Sequence, residues 1–339
     1  MAGTERRRLK NLFDETTLGG VALRNRAWRS ATWLGLAGPR GEITEAIVRT
    51  YTELAKGGAA MLVAGLTSIA QDDATIGGEV KFYDDLFIAG HRRLTDAIHA
   101  EGAKIIMQTA MVDGFVDELT TDKVEGVVRQ FGEAAARAER AGYDGVQIHA
   151  AHFFYLSKFI SPLFNHRNDR FGGSPENRAR ILVEILAAMR ERTRHGFVIA
   201  IKINSDDCQP GGLAQKDFLV AGKMLSTAGI DAIEVSANYT SRPNIRAGVN
   251  EYSFLPAAEA LAAIVKTPVV LVGGVRSLET ANAVLAKTAI QYIALSRPLI
   301  REPNLINRWQ KGDVRPSACV SCNACYRTTA HACLFAVCH

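Results

Sequence analysis

VVLVGGVRSLETANAVLAKTAIQYIALSRP, residues 269–298, holds two short apolar runs with one helical stretch between them. Neither run alternates apolar with polar residues, which is how parallel strands buried on both faces read. Gly273 and Gly274 follow the first run directly, and Ser277 stands where it can cap the helix that begins next. The stretch is one strand–helix–strand unit. Working outward, NRAWRSAT, AMLVAG, KIIMQT, DGVQIH, FVIAIKI and DAIEVS repeat the rhythm upstream, which makes eight candidate strands with PVVLVGG and YIALSRP. Helical patterns lie between them. One should start at the N-cap Thr44 and end on Gly57, and another should close at Gly142. A third should run from the N-cap Ser174 and Pro175 to a C-cap at Gly196.

Eight such units in about 270 residues match a closed (β/α)8 TIM barrel, and a doubly wound sheet shows the same alternation. A dinucleotide-binding sheet would carry GxGxxG after its first strand, and this sequence has none there. The expectation is therefore an α/β chain, with a barrel over residues 1–315 and a short cysteine-rich segment over 316–339.

Composition narrows the function classes. The 339 residues are 47% hydrophobic and 22% charged, which is ordinary for a globular protein. The net charge of +5 is scattered apart from RRRLK near the N-terminus, which reads as a solvated tail and not as a nucleic-acid surface. No apolar run reaches the roughly 18 residues of a membrane span. MAGTERRRLKNLF has no apolar core of a secretory signal, so a cytoplasmic protein with reduced thiols is expected. Cys208 stands alone, whereas Cys319, Cys322, Cys325, Cys333 and Cys338 crowd the C-terminal end, a pattern of metal or cluster ligation.

A barrel performs chemistry at the C-terminal ends of its strands. Ser30, Ala31, Thr32, Gln108, His149, Lys202, Gly273, Gly274, Ser296 and Arg297 all fall there. Bare glycine backbone before a helix, with Arg297 beside it, suits a phosphate. Lys202 places a second cation across the pocket. A cofactor with a phosphate at one end and an anionic or electron-accepting ring at the other fits this arrangement.

HAAHFFYLSKFISPLFNHRNDRFGGSPENRAR, residues 149–180, strongly resembles the old yellow enzyme family of FMN-dependent oxidoreductases. LRNRAWRSATW, VVLVGGVRSLETA and YIALSRPLIREP resemble the family's first and last two strands. The branch it is most similar to contains 2,4-dienoyl-CoA reductase and trimethylamine dehydrogenase. The resemblance implies FMN bound by Ala31, Thr32, Gly65, Gln108, Lys202, Gly273, Gly274, Ser296 and Arg297. Gln108 would meet the pyrimidine edge, Lys202 the N1 side, and Gly274, Ser296 and Arg297 the phosphate. His149 and His152 would donate to a carbonyl oxygen stacked over the ring. Family members that reduce enones read HxxHGYL, with the tyrosine as proton donor. Here that position is Phe154, and the tyrosine is displaced to Tyr155, the candidate replacement.

In the tail, Cys319, Cys322, Cys325 and Cys338 form C-x2-C-x2-C-x12-C. Four thiolates in this array suit either a [4Fe–4S] cluster or a closed zinc site. The resemblance favours the cluster, and Cys333 is the surplus, either a replacement for Cys338 as the fourth ligand or a small core residue. Two functions follow. One is an FMN and iron–sulfur oxidoreductase acting on a small unsaturated carbonyl compound or an amine, with NAD(P)H or a partner protein exchanging electrons. The other is a flavin and iron–sulfur electron carrier with little ene-reductase activity. Either would suit a homo-oligomer. The large reductases of the branch carry a further FAD and pyridine-nucleotide module after the cluster, and none is visible before His339.

Overall fold

A computed structural model describes residues 9–73, 76–112, 114–238 and 245–335. Eight parallel strands close on themselves: β1 (Ala27–Arg29), β2 (Met61–Ser68), β3 (Lys104–Ala110), β4 (Gly145–Ala150), β5 (Val198–Asn204), β6 (Ala232–Ser236), β7 (Val269–Leu271) and β8 (Tyr292–Leu295). Closure is made on both sides of β1, where Ile293 pairs with Ala27 and Trp28 pairs with Met61. The fold is a (β/α)8 barrel. Val80–Lys81 adds a short parallel strand beside the end of β2. An antiparallel hairpin, Thr16–Leu18 with Val21–Leu23, sits at the opposite mouth, its turn at Gly19 close to Asp231 and Val198.

Helices α1 (Glu45–Lys56), α2 (Ile88–Ala100), α3 (Thr121–Arg140), α4 (Pro175–Arg192), α5 (Gln215–Thr227), α6 (Leu255–Ala262) and α7 (Leu278–Lys287) cross between consecutive strands, and α8 (Leu305–Gln310) follows β8. Each buries an apolar stripe against the strands, which are themselves buried on both faces. Thr44, Ser174 and Ser277 cap α1, α4 and α7 by accepting from the backbone N–H three residues on. Gly57 ends α1 where a side chain would collide with Pro303 O, at 1.8 Å from a Cβ. The end of α4 differs from expectation. Its C-cap is Thr193, and Gly196 takes its left-handed φ of +87° in the turn into β5. No helix among the described residues is long and apolar enough to cross a membrane.

After α8 the chain returns across the C-terminal face of the barrel. Ser317 N donates to Arg276 O (2.7 Å) and Ala318 N to Glu302 (2.6 Å). Arg276 donates to Cys319 O and Ser321, and Arg297 to Asn323 (2.7 Å). The cysteine-rich segment is thus laced to the loops after β7 and β8.

Burial also fixes a pH dependence of the fold. His91 on α2 stacks on Phe82 with ring centroids 3.9 Å apart, and burial holds its pKa at about 3. In the unfolded chain the imidazole titrates near 6.5, so at lower pH the unfolded state takes up a proton that the folded state refuses. Stability is therefore fully present above about 6.5 and is lost as pH falls toward 3. Melting temperature measured across that range should fall on acidification, and His91→Gln should flatten the fall.

Candidate active site

The strand ends enclose a cavity of about 430 Å³. On its floor lie Ser30 and Lys202, with Gln108 on one side. His149, His152 and Phe154 form one wall, and Gly273, Gly274, Ser296 and Arg297 another. Ala31 and Thr32 also line it. The size falls within the range of small-molecule sites. Two of the expected residues do not line this cavity. Gly65 lies beside Gln108, whose Cβ is 2.6 Å from where a Cβ on Gly65 would stand, and opens on a narrow neighbouring crevice. Tyr155 is buried in a short helix, Tyr155–Ile160, with its ring against Phe159 at 5.2 Å.

The cavity floor is a chain of hydrogen bonds inside the barrel. Gln108 Nε2 donates to Gln147 Oε1 (2.8 Å), and Gln147 Nε2 donates to Glu234 Oε2 (2.7 Å). Ser30 Oγ donates to Glu234 Oε1 (2.6 Å), and Lys202 Nζ reaches Ser30 Oγ at 2.8 Å and Glu234 Oε1 at 3.1 Å. A carboxylate only accepts, so Glu234 fixes the orientation of both amides. One N–H of Gln108 is used in this chain, and its oxygen can accept from a ligand N–H. Glu234 and Gln147 are both 0% exposed and were not among the residues read from the sequence. A signal was available in DAIEVS, because a charge inside a fully buried strand requires a partner.

On the histidine wall, His149 Nδ1 accepts from Ala151 N (3.3 Å), which leaves its proton on Nε2 as a donor. His152 Nε2 is 2.9 Å from Ser236 Oγ. The rings meet edge to face at 5.2 Å. Burial, then the nearby Lys202 charge, holds His149 at about 3; burial, His149 and Lys202 hold His152 well below its usual value. Both imidazoles are neutral, and His149 carries on Nε2 a proton that it can donate. Binding of a neutral carbonyl ligand, followed by absorbance change, should accordingly be flat between about pH 5 and 8.

His152 and Phe153 both take left-handed backbone, with φ of +64° and +62°. Asn204 and Asn238 hold this turn by accepting from His152 N (3.2 Å) and Phe153 N (3.1 Å), and Asp207 holds Asn238 (2.6 Å). The turn sends Phe154 into the cavity, where it lies edge to face with His149 at 4.7 Å.

The opposite wall can cradle a phosphate. Gly273 and Gly274 have φ of +100° and +92°, and a Cβ on Gly273 would stand 2.6 Å from the Phe254 ring. Only bare backbone fits there, directly before α7, with Arg297 alongside. Arg276, which also lines the cavity, was missed although it follows the glycine pair by two residues.

A second cavity of about 280 Å³ lies in the C-terminal segment. Cys319, Cys322, Cys325 and Cys333 line it, and Arg297 and Ser321 line both cavities, so the two share a wall. Cys338 lies outside the described residues. Among the described residues, no three His, Cys, Asp or Glu side chains gather around a point that could hold one metal ion.

Comparison with known proteins agrees with this geometry. A metal reductase of Desulforamulus reducens is 31% identical over 92% of this chain and 50% of its own length. A cinnamate reductase of Clostridium sporogenes is 29% identical over 92% of the chain and 55% of its own. The solved complex of a 2-naphthoyl-CoA reductase shares the fold, with a TM-score of 0.84 at 22% identity, over 91% of this chain and 54% of its own. The chain thus spans about half the length of each. The NADH:flavin oxidoreductase / NADH oxidase family model matches residues 11–116 and 111–315. By that match, and by a barrel that carries the site at its strand ends, the chain belongs to the NADH:flavin oxidoreductase / NADH oxidase family.

Proposed function

We propose that this enzyme holds FMN in the barrel cavity and reduces a small unsaturated carbonyl compound with electrons from NAD(P)H. The observation that carries the reading is the pair of neutral imidazoles, His149 and His152, across one cavity from the Gly273–Gly274–Arg297 cradle. When bound, FMN supplies the hydride. Ala31, Thr32 and Gly65 support the ring's surroundings, and Gln108 offers its oxygen to a ring N–H. Lys202 favours the negative charge of the reduced ring, while Gly274, Ser296 and Arg297 bind the phosphate. His149 and His152 grip the substrate oxygen and draw electron density from the β-carbon. The cinnamate reductase relative supports the unsaturated-carbonyl class.

The C-terminal segment, residues 316–339, is a cluster-binding unit appended to the barrel of residues 1–315. A zinc ion, with Zn–S bonds of about 2.3 Å, needs four sulfurs around one point. The described thiols line a cavity of about 280 Å³, and a [4Fe–4S] cluster with one thiolate per iron fits that lining. Cys319, Cys322 and Cys325 would hold it with Cys338, and the cluster would carry electrons one at a time across the wall shared with the flavin cavity.

Phe154 on the cavity wall supports a second reading, an electron-transfer flavoprotein with little ene-reductase activity. An anaerobic absorption spectrum with iron and sulfide analysis tests both cofactors, and steady-state turnover of an enone by NAD(P)H separates the two readings. Lys202→Met is expected to lower flavin content or slow flavin reduction several-fold. Full FMN occupancy with an unchanged reduction rate would remove Lys202 from its role.

A further inference from the structure

Lys202 does not meet the cavity as a lone cation. Its ammonium lies 3.1 Å from a carboxylate that is 0% exposed, and both share Ser30 Oγ. An ion pair inside a barrel is costly to desolvate and persists only when its members are fully hydrogen-bonded. Glu234 meets that condition, with Ser30 and Lys202 on Oε1 and Gln147 on Oε2. The carboxylate does not line the cavity, whereas Lys202 does. Its influence on anything bound there passes through the side chains it holds.

Resting on the FMN reading above, we propose that Glu234 is a positioning residue that sets the redox potential of the bound flavin through Lys202. It pins the ammonium to the floor and offsets part of its charge. Less positive charge then reaches the reduced, anionic ring, and the potential is kept lower than Lys202 alone would make it. The pair acts as an attenuated cation.

The test is the midpoint potential of the bound FMN, read by anaerobic spectral titration, in wild type, Glu234→Gln, Lys202→Met and the double variant. Glu234→Gln keeps the shape and removes the charge. It should favour reduced over oxidised FMN at least tenfold, a positive shift of about 30 mV for a two-electron couple. In the Lys202→Met background the same substitution should move the potential by less than half as much, because the group it works through is gone. A potential unchanged or lowered in Glu234→Gln overturns the proposal, as does an equal shift in both backgrounds. If Glu234→Gln is insoluble through its unpaired buried ammonium, the double variant, which removes both charges, should restore soluble protein. A double variant that is equally insoluble overturns the proposal too. Absence of FMN from the wild type would refute the functional reading itself, an outcome distinct from wild type that binds FMN beside an unshifted variant.

Discussion

Phe154→Tyr is expected to raise enone turnover by the reduced protein about 100-fold or more, within the ~100- to ~10,000-fold that a positioned general acid typically contributes. Phe154 lies on the cavity wall against His149, so a hydroxyl on its ring would reach the space beside the gripped oxygen. In the proposed reaction the two imidazoles would polarise a carbonyl, but hydride arriving at the β-carbon would leave negative charge that must be quenched by a proton at the α-carbon. The described cavity wall offers no phenol next to His149. In the proposed reaction, binding of the substrate would need only the two imidazoles, so the gain should appear in kcat with KM nearly constant. A Phe154→Tyr protein no faster than wild type would show that protonation is not the slow step or that another group supplies it.

The neighbouring residue gives the contrasting result. Tyr155→Phe should leave turnover unchanged, since its ring faces Phe159 and not the cavity. Its hydroxyl is buried and has no hydrogen-bond partner among the described residues, and burial pushes the phenol well above its usual range. Removing an unpaired buried hydroxyl should leave stability unchanged or raise it by about 1 kcal/mol, measured by chemical denaturation. Loss of activity in Tyr155→Phe would mean that the turn at His152 and Phe153 adopts another register when substrate binds.

The barrel was legible because its signals are local and repeated. Unalternating apolar runs such as VVLV and YIAL, with Ser277 and a glycine pair in the connection between them, specify a strand–helix–strand unit without any long-range information. Residues at strand ends were legible for the same reason: closing the barrel brings His149, Lys202, Gln108 and Arg297 around one cavity. What the sequence did not yield was pairing within the barrel. Glu234 sits in the middle of DAIEVS, and its partners Ser30, Gln147 and Lys202 come from β1's end, β4 and β5. Register across strands decides that meeting, and no local pattern encodes it. The expected C-cap at Gly196 failed for a different reason. A glycine after a helix marks a left-handed residue, and here that residue serves the following turn while α4 ends at Arg192. The displacement of Tyr155 was readable as a shift of one position, but its direction depended on the paired left-handed residues His152 and Phe153. Those lie outside what residue types other than glycine ordinarily announce.

Cys325→Ala should abolish the cluster outright, with iron, sulfide and the broad visible absorbance of anaerobic preparations falling to background. Cys325 is the most buried of the thiols lining the second cavity, and Cys319, Cys322 and Cys333 are close enough to act on its charge. The FMN spectrum should survive, because among the described residues the barrel cavity shares only Arg297 and Ser321 with that wall. The fourth ligand is settled by a pair of variants. With Cys338 as the proposed fourth ligand, Cys338→Ala should lose the cluster and Cys333→Ala should keep it. Cys333 already has a neighbour, Arg301, whose Nη1 lies 3.7 Å from its sulfur. A surplus thiol on the cavity wall would then act on the cluster without bonding to it, and Cys333→Ala should alter the cluster's potential while iron content holds. The reverse result, with Cys333→Ala emptying the cavity and Cys338→Ala leaving it full, would move the fourth bond to Cys333. Stoichiometric zinc without sulfide in wild type would replace the cluster by a structural ion. It would also rule out the proposed electron route from this segment to the barrel, since zinc has no redox step to offer.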